Sequence, residues 1–313
     1  MKPYFSIIIP LYNKEKHIKD TLNSVWSQSF VDFEVIVVND GSTDDSLENL
    51  KTITDNRLNV FSTKNQGVSK ARNYGISKAS SDLIVFLDAD DIWLEHHLQD
   101  LKDLHEQFPG CGMYCKSYDK KDGSTLIASK FKNITTDSPW KGIVENYFYS
   151  SQISSIAWTS AVMIPRSTFE TIGSFNTAYN SGEDTDLWIR IALEYPVAFS
   201  NTVSAIHNLS SDHKITDLKL SARSHLDFNE FQDQEKQNES LKKYLDLNRY
   251  SVAIQYKLED NSSVAKNIFS HIKSDNLTSL QKILFSLPNS VIRQGLKSRN
   301  FLRRLNLDLR LFR

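Results

Sequence analysis

Cysteine is almost absent. Cys111 and Cys115 are the only two in 313 residues, so neither a disulfide framework nor a cysteine-built zinc site can be assembled. Charge of one sign is not in surplus either: the net charge is −1, which removes any global case for nucleic acid or a strongly acidic partner. No apolar run reaches the ~18 residues that cross a bilayer. The N-terminus opens on a strand pattern rather than a charged-then-apolar leader. The expectation is a cytoplasmic protein whose only membrane contact is peripheral, on the inner face of the cell membrane. A Gly-x-Gly-x-x-Gly fingerprint is missing from the first strand-to-helix turn, which disfavours a dinucleotide oxidoreductase. Glycine itself runs out, because after Gly182 only Gly295 remains. No internal repeat or low-complexity segment is present.

What the chain does have is a set of short apolar, β-branched runs: Phe5 to Pro10, Phe33 to Val38 and Leu83 to Leu87. Runs without alternation suit strands covered by helices on both faces. Helical patterns lie between and after them, over 14–28, 44–53, 69–79 and 185–194. The alternation predicts an α/β fold, a Rossmann-like open and mostly parallel sheet with helices on both faces. Residues 110–160 read as short strands and loops. From Ile215 onward, stripes such as Ile215, Leu218, Ala222, Leu226 and Val264, Ala265, Ile268, Phe269, Ile272 predict a helical extension. The expected division is 1–212 and 213–313. Residues 280–313 carry eight basic side chains and one acidic, Asp308. Such a tail suits either an anionic membrane surface or the chain's own acidic domain. Residues 301–312 fit a helix and a strand about equally.

The chemistry concentrates where the strands end. Asp88-Ala89-Asp90-Asp91 follows the strand at Leu83, and ligands bind beyond the carboxyl ends of strands in open α/β sheets. Two carboxylates one residue apart there can hold a divalent cation, and the cation a diphosphate. Alone, such a motif reads better as a solvated turn or a helix N-cap. It has companions in Pro10-Leu11-Tyr12-Asn13, Asn39 to Asp44, Asn65 to Asn73 and Gly182 to Trp188. Tyr12 can stack on a base, and Asp40 can accept from a pyrimidine N–H. Gly41 lets backbone approach closely. Arg72, Lys70 and the N–H groups near Gly67 can meet a diphosphate. Asp184, with Glu183 as its neighbour and fallback, can take a proton from an attacking hydroxyl.

These five stretches, in this order over roughly residues 4–210, resemble the family 2 glycosyltransferases of the GT-A fold. The resemblance implies inverting transfer of a sugar from a nucleotide donor, usually a UDP-sugar, to a saccharide or lipid-linked acceptor hydroxyl in surface polysaccharide or glycolipid synthesis. By position it assigns Pro10, Tyr12, Asn13, Glu15, Asp40, Gly41, Gly67, Lys70, Arg72, Asp88 and Ala89 to the nucleotide-sugar, Asp90 to Mn²⁺ or Mg²⁺, and Asp184 to the base. His207 falls where such enzymes often keep a metal-proximal histidine; a structural role is the alternative. Trp140, Tyr147 and Trp158 read as acceptor platforms or as core. Asp186 reads as a helix cap or pair, Trp188 as core and His96-His97 as exposed helix. Competing readings are a haloacid-dehalogenase-like phosphohydrolase, a sugar-nucleotidyltransferase and a non-catalytic binder. The first needs its D-x-D after strand one, and the second a Gly-rich loop where Tyr12-Asn13-Lys14-Glu15 stands.

Overall fold

A computed structural model describes residues 2–135, 138–212, 215 and 218–294. The chain divides into two compact units. One is Met1–Asp217 with Ser224–Leu226, and the other Leu218–Arg223 with Asp227–Arg313.

The first unit is built on a ten-stranded sheet. Its apolar runs become β1 (Phe5–Leu11), β2 (Phe33–Asn39) and β4 (Leu83–Phe86), with β3 (Leu58–Ser62) at the edge. These four strands are mutually parallel. Only Pro10 of β1 escapes burial, as a strand covered on both faces demands. Helices α1 (Ile18–Trp26), α2 (Ser46–Lys51) and α3 (Val68–Lys78) supply the crossovers. Helix α3 lies directly on β1 because position 75 is glycine: a Cβ there would stand 2.5 Å from Ile8 Cγ2. Beyond β4 the sheet turns mixed. The full order is β3-β2-β1-β4-β9-β6-β10-β5, where β5 is Ile92–Trp93, β6 Met113–Asp122, β9 Val162–Pro165 and β10 Val197–Asn208. β9 runs antiparallel to β4 and β6, whereas β10 runs parallel to β6. β7 (Thr125–Ala128) and β8 (Lys141–Ile143) pair with β6 and β10. Helices α4 (His97–Gln107), α5 (Tyr147–Ser150), α6 (Arg166–Ile172) and α7 (Glu183–Glu194) complete the unit.

The second unit holds α8 (Gln232–Gln237), α9 (Glu239–Leu258), α10 (Ser262–Ser270) and α11 (Ser279–Ser286); Tyr250 and Ile254 of α9 form a core with Leu277, against which Phe269 of α10 and Phe285 of α11 pack. Phe269 stacks on Phe285 at 3.8 Å. Asn238 caps α9, and Thr278 with Gln281 forms a capping box on α11.

Three expectations change. Residues 113–122 are one regular ten-residue strand rather than part of a run of short strands and loops. The lysine at 116 hides it in the sequence, because its ammonium is satisfied inside the fold by Asp100 at 2.6 Å and Ser200 at 3.0 Å. From Leu218 to Leu226 the stripe is not an α-helix. Glu259 takes the N–H groups of Leu220 and Ser221, where Leu220–Ala222 forms a 3₁₀ turn. Ser181 and His225 then form a parallel bridge, and Leu226 is buried. His97 is fully buried rather than exposed. It stacks on Trp93 at 4.3 Å and bonds Ser204 at 2.8 Å. The basic tail from 295, including the ambiguous 301–312, lies outside the described residues. Among the described residues, no helix is long and apolar enough to cross a membrane.

Candidate active site

The loops after β1 and β2 are knitted to each other. Asn13, at φ +50°, donates its N–H to Ser42 and accepts from the Thr43 N–H at 2.8 Å. Lys14 N–H meets Ser46 Oγ, and Glu15 N–H meets Asp44. These side-chain contacts delay α1 to Ile18, whereas the sequence pattern begins at Lys14. The Glu15 carboxylate accepts from the Asp45 N–H at 2.9 Å, so it braces the second loop. Tyr12 stands exposed at the mouth, available for stacking. Pro10 sits half-buried beneath it, and Lys70 is exposed on α3.

Asp40 is 4% exposed and holds the third loop. Its oxygens accept from Thr63 Oγ1, Gln66 N–H and Gly67 N–H at 2.8–3.1 Å. The two backbone N–H groups expected to meet a diphosphate are therefore already engaged. Gly41, at φ +73°, is the residue this packing needs, because a Cβ would stand 2.8 Å from the Asn65 nitrogen.

Arg72 sits deeper than a diphosphate ligand should. Its guanidinium is buried, bonds Asp88 at 2.8 Å and Glu183 at 2.9 Å, and lies over the Phe175 ring. It thus ties the turn after β4 to the first residue of α7. Burial opposes its charge, but Asp88 and Glu183 hold it protonated. Burial and the neighbouring Asp184 charge push the Glu183 carboxyl up, against Arg72. Asp184 projects half-exposed beside it, its Oδ1 accepting from the Thr185 N–H at 2.6 Å. Glycine at 182, in the left-handed region, turns the chain into α7 beneath this pair. Asp186 pairs with Arg190 at 2.7 Å, and Trp188 is buried edge-on to Phe175, both as structural readings foresee.

On the other side of the turn, Asp90 faces a cation already. Lys14 Nζ lies 2.9 Å from its Oδ2, and Ser211 donates its hydroxyl to the same oxygen. Burial works against the Asp90 charge, but Lys14, Ser211 and His207 together hold its carboxyl below the usual range. Ala89 is buried beneath the turn. His207 packs at a 30° tilt against Trp158, ring centroids 4.8 Å apart, and Trp158 packs in turn on Tyr118. Trp140 instead covers Gly142, and Tyr147 is buried, so neither is presented as a platform.

Asp91, buried, accepts from Ser160 Oγ at 2.6 Å and from the Asn208 N–H at 2.9 Å. Ser160 Oγ in turn accepts from the Asp88 N–H. Burial and the charges of Asp90 and Asp88 push the Asp91 carboxyl well up. The end of β10, which carries His207, is thereby tied to the acidic turn. Lys14, Asp91, Ser160 and Ser211 were absent from the residues inferred by motif. Lys14 and Asp91 at least lie inside motif stretches, whereas nothing near Ser160 or Ser211 marks them.

Among the described residues, no three His, Cys, Asp or Glu side chains form a ready metal cage. One carboxylate, Asp90, with the His207 imidazole beside it, suits a hard divalent ion such as Mg²⁺ or Mn²⁺ that completes its shell with diphosphate oxygens and water.

The sequence matches the family described as glycosyl transferase family 2 over residues 6–173, more than half of the chain. An "uncharacterized glycosyltransferase" of Rickettsia felis is 28% identical over 230 residues, covering 68% of this chain and 36% of that protein. The "uncharacterized glycosyltransferase EpsJ" of Bacillus subtilis is 39% identical over 127 residues, covering 39% of this chain and 37% of that protein. The chain thus spans about a third of the length of these curated relatives. Among solved structures, S. aureus TarS 1-349 in complex with UDP-GlcNAc superposes with a TM-score of 0.65 at 19% identity, over 98% of this chain and 92% of that one. At that identity the likeness is one of fold.

Proposed function

The chain belongs to glycosyl transferase family 2, and on that premise we propose that it transfers a sugar from a nucleotide-sugar donor to an acceptor hydroxyl with inversion at the anomeric carbon. The observation that carries the reading is the buried Arg72 bridge, which joins the Asp88–Asp90 turn to Glu183, with the half-exposed Asp184 next to Glu183 and outside that bridge. Glu183 is committed to Arg72, so the base role falls to Asp184. The acceptor hydroxyl loses its proton to Asp184 as its oxygen bonds to the anomeric carbon. The bond from that carbon to the diphosphate oxygen breaks, and its electron pair leaves with the nucleoside diphosphate. A divalent cation bound at Asp90 and His207 would supply Lewis-acid charge toward the leaving diphosphate.

Tyr12 offers a face for the base, and Asp88 lies at the mouth for the ribose. The donor inferred is a UDP-sugar, a class that includes the ligand seen in TarS. The transferred group is a hexosyl or N-acetylhexosaminyl unit, and the acceptor a saccharide or lipid-linked chain in surface polysaccharide or glycolipid synthesis.

A panel of UDP-sugars, assayed for transfer and for hydrolysis, tests the donor class. Asp184→Asn is expected to keep UDP binding and lower turnover by about 10²–10⁴-fold, the range for a general base. Unchanged turnover would remove Asp184 from that role.

The basic tail is assigned to an anionic membrane surface on the inner face of the membrane. Its test removes residues from 295 only, because α11 buries Leu284 and Gln281 in its own unit. The shortened chain is expected to lose binding to phosphatidylserine vesicles, and equal binding by both forms refutes the assignment.

A further inference from the structure

We propose that Lys14 is the resident counter-cation of Asp90, locked there by the segment Asn208–Asp212, and that metal and diphosphate bind by exchanging it out together. The inference rests on the glycosyltransferase reading of the site and adds a residue to it.

The Lys14 side chain is nearly buried, 11% exposed, against an Asp90 side chain 15% exposed. Its ammonium takes Asp90 Oδ2, Ser211 Oγ and the Asp212 carbonyl as acceptors. Ser211 donates to the same Asp90 oxygen. Lys16 bonds the Asp212 carboxylate at 2.6 Å, fastening the far end of the segment to the same loop. The left-handed turn at Asn13, fixed by Ser42 and Thr43, aims Lys14 into the acidic turn. The ammonium therefore stands against the oxygen that a divalent ion would need.

Charge decides the order of binding. Asp90 and Lys14 together are neutral. A divalent ion arriving alone would add two positive charges beside a buried ammonium, at a separation where such charges repel strongly. An ion arriving with the two negative charges of a sugar-nucleotide diphosphate leaves the net charge around Asp90 and Lys14 unchanged. The freed ammonium then has phosphate oxygens to meet instead of Asp90, and the segment from Asn208 to Asp212 loses its hold. Linkage makes the coupling reciprocal: whatever weakens the ammonium's grip favours metal alone and reduces the help that diphosphate gives.

The test is Mn²⁺ affinity of the full chain, read by electron paramagnetic resonance with and without UDP. Lys14→Gln is expected to bind Mn²⁺ without UDP about tenfold tighter than wild type, with a correspondingly smaller gain on adding UDP, within the usual range of coupling between sites. Ser211→Ala, which leaves the ammonium in place, is expected to move both quantities the same way by less. Unchanged or weaker UDP-free Mn²⁺ binding in both variants overturns the exchange while leaving the transferase reading intact. Mn²⁺ binding that survives Asp90→Asn in the presence of UDP overturns the metal assignment itself and the exchange with it.

Discussion

Two buried arginine clusters, one in each unit, make opposite use of the same interactions. In the second unit, Arg249 bonds Glu235 at 2.6 Å, Asp246 at 3.1 Å and the Phe228 carbonyl. Asp246, fully buried, also receives Lys242, the Lys273 N–H and Asn276. Two carboxylates meet two cations, and both terminal nitrogens of Arg249 have partners. In the first unit, Arg72 holds Asp88 and Glu183, but its Nε has no partner among the described residues. Asp184 adjoins Glu183, and Asp90 and Asp91 adjoin Asp88. Carboxylates there outnumber Arg72 and Lys14. A saturated, neutral network fixes one conformation, whereas an unsaturated and acid-rich one stores binding capacity for a cation and for a proton. That contrast separates a structural clasp from a site using residue types alone.

The sharpest way to break the comparison is Asp246→Ala. It leaves Arg249 and Lys242 buried against a missing charge, and stability is expected to fall by about 3–5 kcal/mol. Urea unfolding followed by far-ultraviolet circular dichroism reads the loss. UDP affinity, measured by quenching of the five tryptophans, all of which lie in the first unit, is expected to stay put. A change in UDP affinity as large as the stability change would mean the clasp serves the site after all.

Arg72→Lys is the milder probe of the other cluster. A lysine keeps the charge but offers a point donor in place of a fork, so it cannot reach Asp88 and Glu183 together. The loss of one charge-assisted bond, about 1.5–3 kcal/mol, should appear in kcat/KM as roughly tenfold or more, since 1.4 kcal/mol is tenfold in rate. If transfer is unaffected while stability drops, Arg72 is a clasp like Arg249, and the distinction between the clusters fails.

How much of this could be read from the chain varies with the kind of signal. The strand ends carrying Asp40 and Asp88 were legible because uninterrupted apolar runs point to buried parallel strands, and the start of the helix carrying Asp184 was legible from its apolar face. The strand Met113–Asp122 was not legible. Its burial tolerates Lys116 only through Asp100 and Ser200, partners remote in sequence. The bridge made by Arg72 was not legible for a related reason: its partner Glu183 lies more than a hundred residues away in the chain. Ser160 and Ser211 carry no pattern at all, because one hydroxyl acquires meaning only from what the fold sets against it.

A third buried titratable group lies between the two extremes and gives the smallest effect. His97 is buried beside Lys116, which is itself neutralised by Asp100, and beside the more exposed His96. Its Nδ1 meets Ser204 Oγ, while Nε2 has no partner among the described residues. Burial first, then the Lys116 charge, holds its imidazole well below the usual 6.5. The unfolded chain therefore takes up a proton near that value, and the folded chain does not. With more protons bound by the unfolded state, stability is present above about 6.5 and is lost as the pH falls below it. Asp91 and Glu183, whose carboxyls are raised, push the other way as acid is added, but they are common to wild type and variant. His97→Phe keeps the stack on Trp93 and removes the titration. Between about pH 7.5 and 5.5 its melting temperature should fall less steeply than that of wild type. Parallel slopes would mean that His97 gains its proton inside the fold. In that case the unpaired Nε2 is a second site of stored binding capacity, and the clusters no longer divide cleanly into clasp and site.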